Sequence, residues 1–324
     1  MKKNEVKKHT LNMPAPPKDW NTLSKEQLLG IHKLLNEGLS EVEYKLKVFL
    51  MLMGLKILKR AEKKDDGTFR YLFRRLGWKH TLRKETLGME SWEVSYWIDK
   101  YLKFLDEPFR LLKLPFEYVT FRGRKYRAPE PLMINLTYEQ YGNAQKYLVN
   151  YWELSRMVDS LRKNGATTEA IRHVEHEALN ARAGFLAHMY TPASLRILDQ
   201  RHRGTRFAPR WVYNYDSDES ERHLKKFRTA PRWMFDVTYQ LFQSCQQNYK
   251  KDFKFLFKEY EDGEGKSALV MEIETINAVQ KYAGYGNQQE VYDTNAVFIF
   301  GFLNNMAHEA QEIEEMNNRM KLKR

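Results

Sequence analysis

Residues 260–270 read YEDGEGKSALV, and how they are read decides the fold. If Gly265-Lys266-Ser267 closes a phosphate-binding loop, the chain is an α/β nucleotide machine. Such loops wrap phosphates with the backbone N–H groups of a Gly-rich turn between a buried strand and a helix. The pattern needs a glycine five residues before Gly265, and that position is Tyr260. Gly263 does not substitute, because it shortens the loop. The preceding NYKKDFKFLFKEY carries Phe253, Phe257 and Tyr260 at helical spacing rather than as a β-branched strand. No later apolar run ends in a Mg²⁺-holding Asp. The stretch therefore reads as a helix end followed by a Gly-rich turn. A nucleotide hydrolase is not expected, and neither is a cofactor.

Outward from that point the chain reads as mainly α with one or two minor β ribbons. Its 324 residues suffice for a well-buried core and suggest about two domains. At 14% aromatic content it is not a low-complexity disordered chain. The longest apolar candidate, residues 48–58, is broken by Gly54 and Lys56, so no membrane span is expected. The start, MKKNEVKKHTLNMPAPPKDW, lacks the apolar core of a signal peptide. One cysteine, Cys245, excludes an intrachain disulfide framework and a Cys-based zinc site. Its helical context, with Phe242 and Tyr249 nearby, reads as a buried small hydrophobe rather than a nucleophile.

Residues 1–19 read as a flexible basic arm, 20–130 as a helical subdomain with a β ribbon, and 131–324 as a helical subdomain ending in a long acidic helix. The boundary is expected within 128–136. Ser24 with Gln27, and Ser40 with Glu43, form capping boxes for a helical hairpin. Its inward residues are Leu28, Ile31, Leu34 and Leu35 on one helix, and Leu46, Phe49, Leu50, Met53 and Ile57 on the other. Asp66-Gly67 signals a turn, and Phe69, Tyr71 and Phe73 alternate as in a ribbon. A helix starts at Ser91 with Trp92, Tyr96, Ile98, Leu102 and Leu105 at helical spacing, and Pro108 stops it. LPFEYVTFRGRKYRAP reads as a second ribbon turning at Gly123. Thr137 caps a further helix, and residues 167–190 form another with Ile171, Val174, Ala178, Ala181 and Phe185 inward. Residues 190–233 read as turn-rich, with an echo between FAPRW at Phe207 and TAPRW at Thr229. Helices follow over 234–260, 268–282 and 291 to the end, the last turning acidic in its second half.

Charge is both high and uneven. The formal net charge is +12, with a pI of about 9.4. Residues 56–84 hold 11 Lys and Arg against three Asp and Glu, whereas residues 259–315 hold 12 acidic residues against two lysines. Two basic-aromatic stretches could meet a polyanion: 70–84, with Arg70, Arg74, Arg75, Trp78 and Lys79, and 196–211, with Arg203, Arg206, Arg210 and Trp211. These nine residues are the candidate interaction site. DNA binding by residues 56–84 is the alternative reading of function. The charge asymmetry also suits head-to-tail self-association of a basic front and an acidic rear.

Catalytic constellations do not assemble from spacing. His173 and His176 are three apart, where a helical zinc site needs four, and Glu177 and His188 do not repair the pattern. A solvated helix face accounts for them. No Ser-His-Asp or paired-carboxylate arrangement has family spacing, so no catalytic residue, metal or cofactor is expected. Met13, Met51, Met53, Met89, Met133 and Met157 read as core filler sooner than as an adaptable surface.

Four segments carry a resemblance. They are DWNTLSKEQLLGIHKLLNEGLSEVEYKLKVFLMLMGLKIL, LPFEYVTFRGRKYRAPEPLMINLTYEQYGNAQKYLVNYWEL, ARAGFLAHMYTP and EVYDTNAVFIFGFLNNMAHEAQEIEEM. In this order they resemble proteins of Bacteroidetes phages and prophages encoded in the tail region. The likeness runs from Trp20 to Met316 as patterning, with no functional residues to carry over. It implies a virion-assembly role: a tail-assembly chaperone-like accessory or a minor structural component. The partners it implies are other tail or virion proteins, in the host bacterial cytoplasm or in the virion.

Overall fold

The computed structural model describes residues 17–63, 69–75, 87–107, 109–193, 196–198, 211–213, 215–257 and 268–321. The fold is mainly α with minor β, as the sequence indicates. It divides into two compact units, Met1–Arg110 and Leu111–Arg324.

The first unit begins where Asp19 caps a 3-10 turn, Trp20–Thr22, and Trp20 is buried against Phe104 and Phe109. Both expected capping boxes are formed. Ser24 starts α1 (Lys25–Leu35), and Ser40 starts α2 (Glu41–Met53). The helices close tightly because residue 30 is glycine: a Cβ there would lie 2.1 Å from Met51 Sδ. Leu28, Ile31, Val48, Phe49, Leu52 and Met53 are buried, while Leu35 is 55% exposed. Helix α2 stops short of Ile57. Gly54 takes the left-handed conformation that lacks a Cβ penalty and caps α2, and the chain turns directly into β1 (Leu55–Lys63). β1 pairs antiparallel with β2 (Phe69–Arg75), which pairs with β3 (Leu87–Glu90). The ribbon expected at Phe69, Tyr71 and Phe73 is present as β2; the Asp66-Gly67 turn lies outside the described residues. Then come α3 (Ser91–Tyr101) and α4 (Lys103–Asp106). Of the stripe expected here, Trp92 and Tyr96 are exposed and Leu102 is buried; Val94, Tyr101 and Phe104 fill the core beside it. Pro108 lies outside the described residues.

The second unit starts with the expected hairpin, β4 (Tyr118–Phe121) and β5 (Arg124–Arg127). Arg122 and Gly123 both have positive φ, 46° and 74°, which is the two-residue turn whose twist suits a hairpin. β5 also pairs with β6 (Thr191–Pro192), so the hairpin belongs to this unit. That pairing is why the division falls at 110/111, upstream of 128–136. Thr137 and Thr167 cap α5 (Tyr138–Lys163) and α6 (Thr168–Met189), an antiparallel pair. Of the inward stripe expected of α6, Val174, Ala178, Ala181 and Phe185 are buried and Ile171 is half-buried.

Residues 190–233 hold more order than their turn-rich composition indicates. β7 (Arg196–Leu198) pairs with β8 (Trp211–Tyr213), and α7 (Ser217–Phe227) follows. α8 (Arg232–Asp252) ends before Phe253, which takes a non-helical cap conformation, so the helix expected to reach Tyr260 is shorter. α9 (Ala268–Ala283) follows. The last expected helix is two: α10 (Gln288–Tyr292) and α11 (Ala296–Lys321), parted by Asp293–Asn295. Phe185, Phe235, Phe242, Tyr141, Tyr249 and Phe300 form an aromatic core, with Phe185 edge-on to both Phe235 and Phe242.

Candidate interaction surfaces

The structure places the candidate residues on two separate ribbons. Arg70, Arg74 and Arg75 lie on β2. Trp211 opens β8, register partner of Leu198. Trp78, Lys79, Arg203, Arg206 and Arg210 lie outside the described residues. β1 contributes Lys56, Lys59, Arg60 and Lys63, so four basic residues in β1 and three in β2 share a two-strand ladder whose acidic residue is Glu62. Lys56 is the register partner of Arg74, whereas Arg70 is that of Glu90. Like charges directly opposite oppose strand pairing.

In the second unit, helix α7 is held by polar chains that sequence reasoning missed. Asn143 Nδ2 donates to the Tyr215 hydroxyl at 3.0 Å. That hydroxyl is 2.5 Å from His188 Nδ1. His188 Nε2 lies 3.4 Å from Glu221 Oε1, and the Tyr147 hydroxyl donates to the same carboxylate. The chain is consistent with a neutral imidazole that accepts at Nδ1 and carries its proton on Nε2. Burial pushes the His188 pKa below its ordinary value, and the Glu221 charge works against that shift. Burial likewise raises the Tyr147 and Tyr215 hydroxyls.

On the other side of α7, Arg124 Nη1 lies 2.8 Å from His223 Nε2. A guanidinium can only donate, so His223 accepts and is neutral at that nitrogen. Its pKa is lowered by burial, then by Lys226. Phe227 stacks on Phe121 and meets Tyr126 edge-on. Most of these groups bond to one another, while His223 Nδ1 and the Tyr126 hydroxyl are buried without a hydrogen-bond partner. What they do is tie α7 to α5, α6 and the β4–β5 hairpin. The only sequence signal was Ser220, His223 and Phe227 at helical spacing in a strongly charged segment.

The chemical motifs resolve similarly. Gly265-Lys266-Ser267 lies outside the described residues. His173, His176 and Glu177 are exposed on α6, the solvated face expected of them. Among the described residues no group of three or more His, Cys, Asp or Glu is arranged to hold a metal ion. Cys245 is fully buried, and burial raises its thiol pKa to about 12. Of the methionines, Met53 and Met133 are core, but Met157 is 50% exposed. Among the described residues no helix is long and apolar enough to cross a membrane.

A further surface lies between α5 and α8. Val149, Trp152, Glu153 and Arg156 of α5 face Tyr239 and Gln243 of α8 across a groove of about 450 Å³. Trp152 and Tyr239 have ring centroids 5.3 Å apart, and Trp152 and Val149 are 38% and 49% exposed. Positions 149, 152 and 156 fall on one helix face, so a patterned stripe builds this wall. Its inner neighbours are fixed: Tyr151, one residue away, is buried edge-on against Phe235. Val149, Trp152 and Tyr239 give the groove its apolar part, Gln243 a polar amide, and Glu153 and Arg156 one charge of each sign. No family model, curated protein or solved structure matches this chain.

Proposed function

We propose that this chain is a non-enzymatic phage protein acting by protein–protein contact in virion or tail assembly, as a chaperone-like accessory or a minor structural component. The observation that supports the contact mode is the α5–α8 groove. An exposed Trp beside a Tyr, on helices fixed by an aromatic core and rimmed by Glu153 and Arg156, has the composition of a protein-binding hot spot. The resemblance from Trp20 to Met316 supports the tail as the setting, with the host cytoplasm or the virion as the place. Co-expression with the neighbouring tail genes tests it. A complex that survives purification and is lost in Trp152→Ser, with the far-UV spectrum unchanged, is expected. Recovery of the chain alone overturns the reading.

A second reading is favoured by the Lys56–Arg74 register pair: the β1–β2 ladder as a DNA-binding ribbon. Such binding falls steeply with salt and weakens on charge reversal at Arg74 and Arg75. A duplex complex that persists at physiological salt and vanishes in Arg74→Glu/Arg75→Glu would replace the first reading.

A further inference from the structure

The three-stranded sheet of the first unit has two unlike faces. Residues paired across a ladder share a face, and neighbours along a strand alternate. Leu55, Ile57, Tyr71, Phe73, Leu87 and Met89 therefore fall on one face. Leu55 is buried, which makes this the core side. Lys56 pairs with Arg74 on the other face. Two irregularities in β1 then decide where its remaining charges go. Strict alternation after Ile57 would set Leu58 opposite Leu72, and Lys59 opposite Tyr71 on the core side. The register shift instead places Lys59 opposite Leu72, on the face of Lys56 and Arg74. The second shift leaves Ala61 and Glu62 opposite Arg70, and Glu90 pairs with Arg70 from β3. Both acidic residues of these strands thus gather at the Arg70 end.

The opposite end of the same face is left positive. The positions of Lys56, Lys59 and Arg74 span roughly 7 Å along the strands and about 5 Å across them. The aromatic residues of β2, Phe69, Tyr71 and Phe73, all fall on the core side. Single-stranded nucleic acid is held largely by stacking on aromatic rings, and protein interfaces centre on aromatic anchors. A cationic cluster whose neighbouring aromatics lie on the other face suits neither. It matches the phosphates of a duplex, which Lys and Arg contact without reading the bases.

We infer that Lys56, Lys59 and Arg74 form a sequence-independent contact for the phosphate backbone of duplex DNA, at the end of the sheet away from Glu62 and Glu90. The inference rests on the reading of β1–β2 as a DNA-binding ribbon, and adds the face, the residues and the mode of contact. It also separates two neighbours in sequence. Arg74 belongs to the contact, whereas Arg75 pairs with Leu55 on the core side and does not.

Fluorescence anisotropy of the full chain with a labelled DNA duplex, over about 50 to 200 mM salt, tests the inference. Each of Lys56→Gln, Lys59→Gln and Arg74→Gln should weaken binding and reduce the log–log salt slope by about one. Arg75→Gln should leave both unchanged. Glu90→Gln removes a carboxylate from the basic face and should tighten binding, a gain that misfolding does not mimic. Unrelated duplexes should compete equally, and a single strand of the same length less well. Absence of duplex binding at low salt overturns the inference and the ribbon reading together. Binding that weakens equally in Arg74→Gln and Arg75→Gln, or that Glu90→Gln fails to tighten, overturns the assigned face and leaves the ribbon reading standing. Equal competition by poly-glutamate of matched charge overturns duplex DNA as the occupant and gives the face to an acidic protein segment.

Discussion

The ring of Tyr147 lies directly over Gly184, so that a Cβ on residue 184 would sit 2.4 Å from Tyr147 Cδ1. The same ring stacks on His188 at 5.2 Å, and its hydroxyl holds Glu221 of α7. A glycine in the interior of α6 costs helix stability relative to alanine, yet here it admits the tyrosine that ties α5 to α7. Gly184→Ala should therefore destabilise by about 1–3 kcal/mol through overpacking, against the helix-propensity gain. Gly142, in α5, meets nothing within 4 Å of an added Cβ. Gly142→Ala should stabilise by about 0.5–1 kcal/mol. Urea unfolding of the two variants side by side gives opposite signs if Tyr147 is the reason for Gly184.

The buried histidines give the second unit a pH dependence with a defined sign. His188 and His223 both have folded pKa values below the ordinary value. The unfolded chain therefore takes up protons at higher pH than the native one. Their stabilising contribution is complete above about pH 6.5 and is lost as the pH falls from there toward the folded values. The limiting slope is about 1.4 kcal/mol per pH unit for each proton. Glu139, whose pKa burial raises, acts with the opposite sign in a lower window that starts near the ordinary carboxylate value. Urea midpoints at pH 7.5 and 5.5 should show the loss, and His188→Gln should make it shallower.

Local chemistry was legible in the sequence, and tertiary pairing was not. Ser24, Ser40 and Thr137 announce three helix starts because a cap is satisfied within three residues. Gly123 announces its hairpin for the same reason. LKILK after Gly54 fits both a helical and a strand period, so β1 was read as the continuation of α2; pairing with β2 decides it. Trp92 and Tyr96 share a helical face as good as the one that is buried, and only packing chooses between them. α7 escaped notice because its apolar face is nearly reduced to Phe227, and its anchors come from Tyr147, His188 and Arg124, far away in sequence. The basic stretches were visible as charge alone. The α5–α8 groove needs two helices brought together, and no single segment encodes it.

Cys245 reports on opening of the core. Its side chain is fully buried beside the aromatic core, and its thiol pKa is raised to about 12. Both effects suppress the reactive thiolate. In native conditions a thiol reagent should label it only through unfolding events, and one equivalent should react at once in denaturant. Phe242→Ala, which removes a fully buried ring from that core, should cost about 3–5 kcal/mol. Labelling of Cys245 in that variant should accelerate in step with the lost stability, if the core opens as one unit. Rapid native labelling in the parent protein would contradict this burial.

Two helix starts share one junction, and that makes their caps interdependent. Thr137 Oγ1 accepts from Gln140 N at 3.1 Å to begin α5. Asn295 Oδ1 accepts from Val297 N at 2.9 Å to begin α11, and its Nδ2 donates to the Ile134 carbonyl. The backbones cross-link the same point: Tyr138 N donates to Thr294 O at 2.7 Å, and Ala296 N to Leu136 O at 3.0 Å. Thr137→Ala should cost about 1 kcal/mol for the lost cap. Asn295→Ala should cost more, about 2 kcal/mol, because it removes a cap and the bond to residue 134 together. Asn295→Asp separates the two, since it keeps the cap acceptor and loses the amide donor. Residues in one hydrogen-bonded junction do not add, so the double variant Thr137→Ala/Asn295→Ala should depart from the sum of the singles by more than about 0.5 kcal/mol. Strict additivity in urea unfolding would show instead that α5 and α11 start independently.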